Sequence, residues 1–133
     1  MSTNTQIVLS IPPKAEFVSL VRLTASGVAN QCGFDIDAIE DLKVCVSEVL
    51  NKAIAACSDE DAAALSIAFE PTPDALSILI GGGGVNGETL FGSDSDAFAL
   101  AILNTLMDEV VLSGDEVAAV RLTKTTGRTG SDD

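Results

Sequence analysis

Histidine, tryptophan and tyrosine are missing from this 133-residue chain. The first absence excludes the most, because no imidazole is on hand as acid, base or metal ligand near neutral pH. Positive charge is scarce too: seven Lys and Arg stand against twenty Asp and Glu, a net charge of −13. A surface of that sign argues against nucleic acid and anionic membrane as partners, and for solubility or a basic protein surface. Cysteine is limited to Cys32, Cys45 and Cys57. An odd set without C-x-x-C spacing reads as buried thiols in a reducing compartment. No apolar run approaches the ~20 residues of a membrane span. The opening MSTNTQ lacks the basic and apolar regions of a signal peptide. The expected compartment is the cytoplasm.

Apolar periodicity is what the chain has in quantity. Residues 37–57, with Ile36 before them, repeat apolar side chains at Ile36, Ile39, Leu42, Val46, Val49, Leu50, Ala53 and Ile54. That spacing is close to 3.6 and predicts one long buried helix, capped by Asp35 or Asp37 and widened by Cys45 and Ala56. Residues 6–11 alternate as a strand that Pro12 and Pro13 end. Residues 14–31 predict a helix facing the core with Phe17, Val18, Val21, Val28 and Leu20 or Leu23. Its small Ala25, Ser26, Gly27 and Ala29 suggest a close helix crossing, and Gly33 suits the left-handed position after it.

An acidic turn at 58–61 precedes strands at 63–70 and 75–80, which the turn at 71–74 joins as a hairpin. Four glycines, Gly81 to Gly84, open a polar segment that runs to Ser95. A third helix spans 96–107 with Phe98, Ala99, Ile102, Leu103 and Leu106 on its apolar face and Asp94 or Ser95 as N-cap. Strands at 109–113 and 117–124 meet at Gly114-Asp115. The expected fold is α+β: a two-layer sandwich whose mixed, mostly antiparallel sheet carries three helices on one face. Residues 1–124 form one domain and 125–133 a disordered tail.

Four stretches, VRLTASGVA (21–29), AIEDLKVCVSE (38–48), TLMDEV (105–110) and RLTK (121–124), resemble the anti-sigma-factor serine kinases. These are the switch kinases of bacterial partner switching, within the GHKL (Bergerat) ATPase superfamily of gyrase and the histidine kinases. The resemblance runs in order from the first strand to Lys124. It implies a Bergerat sandwich, a homodimer, and a protein partner that is a sigma factor or an anti-anti-sigma-like protein. In active members ATP and Mg²⁺ serve to phosphorylate a serine of that partner.

Three nucleotide motifs of the family are altered here. In the helix motif E-x-x-x-N the Glu polarises the attacking hydroxyl and the Asn holds Mg²⁺. Glu48 matches the first, but Lys52 stands at the second, and a charged ammonium has no lone pair for a metal. Asn51 lies about 100° round the helix and cannot substitute. Lys52 then reads either as an i,i+4 ion pair with Glu48 or as a metal-free phosphate binder. In D-x-G-x-G the adenine-accepting Asp falls at Gly82, with Gly84 matching the following glycine. In G-x-G-L-G-L, the phosphate cradle, the counterparts are Asp96, Ala97, Phe98 and Ala99. Two methyls crowd the approach there, and carboxylates at Asp94 and Asp96 would repel phosphate by about 1–4 kcal/mol per pair.

The expectation is a degenerate homologue, a nucleotide-independent regulatory module without cofactor. Its vestigial base position is Glu48, and its altered nucleotide positions are Lys52, Gly82, Gly84, Asp96, Ala97 and Ala99. Glu16, Ser19 and Arg22 on the first helix are the expected partner contacts, with the Arg22 fork the most specific of them. The alternative is a divergent kinase that still uses ATP and Mg²⁺. The altered cleft itself is expected to be empty, or filled by Phe91, Phe98 or the glycine segment.

Overall fold

A computed structural model describes residues 5–57 and 63–126. Its elements are β1 (Ile7–Ile11), α1 (Val18–Gln31), α2 (Ile36–Ala56), β2 (Leu65–Pro71), β3 (Ala75–Gly82), α3 (Gly87–Leu90), α4 (Ala97–Leu106), β4 (Glu109–Leu112) and β5 (Val120–Thr125). The five strands form one sheet in the order β1-β2-β3-β5-β4. All four pairings are antiparallel, so the sheet is not mixed. The fold is the expected α+β sandwich, with a fourth short helix, α3, inside the segment read as polar and irregular.

Strand alternation builds the core. Leu65, Ile67 and Phe69 of β2, Leu76, Ile78 and Ile80 of β3, and Val120 and Leu122 of β5 are all buried on one face. Register places Ile67 beside Ile80, and Ile78 beside Leu122. The α2 stripe of Leu42, Cys45, Val46, Val49, Leu50 and Ala53 is buried in the same core. Each such large side chain contributes about 1.5–3 kcal/mol. Asp35, not Asp37, caps α2: its Oδ1 accepts from the Ala38 N–H at 2.9 Å. Gly33 closes α1 at φ 89°, the left-handed conformation foreseen for it.

Several expected core residues lie outside. Leu20 and Leu23 are 47% and 71% exposed, because Val21, Ala25, Val28 and Ala29 already complete the inward stripe of α1. Ile36 is exposed in the first turn of α2, and Ala56 in its last. Phe98 is 78% exposed; the inward side of α4 is carried by Leu103, with Ala99 and Leu106 half-buried. Gly27 is exposed, and a Cβ there would meet nothing within 4 Å, so it takes no part in a close crossing; Ala25 and Ala29 are the buried small residues of α1. The first residues of the predicted α1 form a separate 3₁₀ turn, Ala15–Phe17. β5 starts at Val120 and runs through Thr125, where the tail was expected to begin. The acidic turn at 58–61 and the tail from residue 127 lie outside the described residues.

Candidate functional site

The long amphipathic helix α2 carries Glu48 and Lys52 along its half-buried border. Lys52 does not pair with Glu48. Its ammonium donates to Asp96 Oδ1, at the residue just before α4. The other carboxylate oxygen of Asp96 accepts from Ser93 N–H at 3.0 Å and from Ser93 Oγ at 2.8 Å. Ser93 and Asp96 thereby form a capping box on the 3₁₀ turn Asp94–Asp96 that leads into α4. The expected caps Asp94 and Ser95 do not serve this role. Lys52 and Ser93 together hold the Asp96 carboxyl at about 2, below its ordinary 3.8. Glu48 forms no hydrogen bond or ion pair among the described residues and lies beside the buried Cys45 thiol. Burial first, then the Asp41 carboxylate, push that thiol up to about 12.

The glycine run is built into the sheet. Gly81 and Gly82 pair with Ser66 and Leu65 of β2, and Gly82 N–H donates to Glu116 O at 2.7 Å. Gly82, Gly83 and Gly84 all have positive φ, at 86°, 63° and 75°. A Cβ at Gly82 would lie 2.6 Å from the Ala64 carbonyl oxygen. Behind the run, Val85 and Phe91 are buried in the core. Of the residues proposed to fill the cleft, Phe91 therefore goes inward and Phe98 does not. Ala97 is exposed and Ala99 half-buried at the start of α4.

The donor set at these positions does not fit a magnesium–nucleotide group. Lys52 and Asp96 satisfy each other, Gly82 supplies no carboxylate, and the helix start that would face phosphate carries a carboxylate.

A second feature lies on the other side of α2. Glu16, Ser19 and Arg22 are all exposed. Ser19 and Arg22 line a groove of about 210 Å³ with Leu23, Ser26 and Lys43, whereas Glu16 lies outside it. Lys43 is tied to Glu40 at 3.0 Å; Arg22 has no hydrogen bond or ion pair among the described residues. Leu23, Ser26 and Lys43 were missed by sequence reasoning. The signal was present, because 19, 22, 23 and 26 follow the i, i+3, i+4, i+7 spacing of one helix face. Missed as well was Lys124, which donates to Leu106 O at 2.8 Å and so caps the end of α4.

No helix of the described residues is long and apolar enough to cross a membrane. Residues 11–124 match the family described as a histidine kinase-like ATPase domain. Similar proteins include the serine-protein kinase RsbW of Bacillus mycoides strain KBAB4. It is 34% identical over 134 residues, spanning 90% of this chain and 84% of the relative. The proteins of the same name from Bacillus cereus strains AH187 and B4264 are 32% and 33% identical over the same shares.

Proposed function

This chain belongs to the histidine kinase-like ATPase domain family, in its serine-protein kinase and anti-sigma factor branch, and from that premise we propose that it is a regulatory module that grips a protein partner without nucleotide. The setting is bacterial transcription control or partner switching, and the partner is a sigma factor or an anti-anti-sigma-like protein. The observation that carries this reading is the Lys52–Asp96 ion pair, which joins two positions that the resemblance to active members assigns to metal and phosphate. The grip is assigned to the α1 groove, where the Arg22 guanidinium, without an ion-pair partner among the described residues, stands beside the exposed Leu23. An acidic side chain flanked by an apolar one on the partner would fit it. The protein acts in the cytoplasm, where its three thiols stay reduced, and as a homodimer measurable by sedimentation velocity.

Titration calorimetry with ATP and with ADP, each with and without Mg²⁺, tests the central point. No binding is expected, and micromolar affinity for either nucleotide would overturn the reading. Pull-down from the native cell should return a transcription regulator.

The second reading is a divergent ATP-binding kinase acting on a serine of an anti-anti-sigma factor. Glu48, half-buried and without an ion-pair partner among the described residues, favours it as a surviving base. Phosphate transfer from ATP to such a protein, abolished by Glu48→Gln, would establish this alternative.

A further inference from the structure

We infer that Lys52 and Asp96 form a built-in occupant of the contact between α2 and the start of α4, the ammonium standing for a cation and the carboxylate for a phosphate. This rests on the reading above, that partner binding needs no nucleotide, and says what replaces the ligand.

The argument begins with the placement of the two charges. Lys52 lies one turn after Glu48 on α2, and Asp96 is 44 residues further along, at the entry to α4. A surface ion pair between long flexible side chains would carry little meaning. This one is different in its surroundings: the Asp96 side chain is 7% exposed and the Lys52 side chain 33%. Asp96 is also oriented before Lys52 reaches it, because Ser93 donates twice to its second oxygen. The first oxygen is thus left pointing at α2.

The connection from β3 to α4 is then held at both ends of its second half. Phe91 is buried in the core, and five residues later Asp96 is tied to α2 by Lys52. A segment fastened by a buried ring and a directional charge pair has one arrangement, not several. Lys52 is accordingly a positioning residue, and it acts through Asp96 on the start of α4.

Two measurements test this on the full-length protein. In hydrogen exchange by mass spectrometry, Lys52→Met and Asp96→Asn should each speed exchange of the 91–103 amides by about tenfold. The double variant should add little to either. Unchanged exchange in the single variants, or additive effects in the double, would overturn the inference.

The second measurement asks whether the carboxylate occupies an anion's place. Asp96→Gly leaves the Lys52 ammonium without its counter-charge beside a helix start. That variant should bind inorganic triphosphate in calorimetry, more weakly as salt rises. The natural protein and the Lys52→Met/Asp96→Gly variant should not. Absence of binding by a cooperatively folded Asp96→Gly protein would overturn the inference while leaving the nucleotide-free reading intact. Nucleotide binding by the natural protein would remove that reading first, so the two failures are told apart.

Discussion

At the scale of single residues, two glycines in helices make opposite demands. A Cβ at Gly87 would fall 1.9 Å from the Ala119 carbonyl oxygen, whereas one at Gly27 would meet nothing within 4 Å. Gly87→Ala should therefore destabilise by about 1–3 kcal/mol through backbone crowding. Gly27→Ala should stabilise by about 0.5–1 kcal/mol, because alanine loses less entropy in a helix. Urea unfolding of both variants checks the sign of each. Arg22 makes a different kind of prediction, since it contributes nothing to the packed interior. Arg22→Ala should weaken partner binding about tenfold or more and leave the thermal midpoint unmoved. A variant that melts early would place Arg22 in the fold and not in the interface.

At the scale of elements, α2 shows what a sequence can reveal and where it stops. The side-chain hydrogen bond that Asp35 Oδ1 accepts from Ala38 N–H fixes its first turn, so Asp35→Ala should cost about 0.5–2 kcal/mol in chemical denaturation, and Asp35→Ser much less. The helix, its stripe and this cap were legible because burial on one side imposes a period that the residues repeat. Strand alternation was legible for the same reason, and so was the β2–β3 hairpin. Leu20, Leu23, Ile36 and Phe98 were misread because hydrophobicity alone does not say which of two adjacent stripes faces inward. The position of Lys52 was legible, but its partner was not. Local spacing offered Glu48 one turn away, and only the folded topology brings Asp96 within reach. α3 was missed because four residues, Gly87–Leu90, are too few to carry a periodic signal. Its one local cue was Asn86, whose side chain accepts from Glu88 N–H at 2.8 Å.

At the scale of the whole molecule, charge governs the response to solution conditions. With a net charge of −13, self-repulsion is reduced by added salt, which acts oppositely on the Lys52–Asp96 pair. Acid titration isolates that pair. The Asp96 carboxyl sits at about 2 in the folded protein against 3.8 ordinarily, so folding favours its ionised form. Its contribution to stability is therefore complete above about pH 4 and is lost as pH falls towards 2. The stability gap between the natural protein and Asp96→Asn should be level from neutrality to about pH 4, then close below it. Urea unfolding at stepped pH measures this, and a gap that stayed open at pH 2 would assign the effect to something other than the carboxylate charge.

Gly82 limits what can be built at its position. An aspartate placed at that position would meet the Ala64 carbonyl 2.6 Å from its Cβ and would have to adopt φ 86°, which side-chain-bearing residues rarely do. Gly82→Asp should thus lower the urea midpoint of unfolding through its backbone alone. Only a bare hydrogen passes at this seam, so the end of the β2–β3 hairpin admits glycine and nothing bulkier unless the neighbouring backbone is rebuilt.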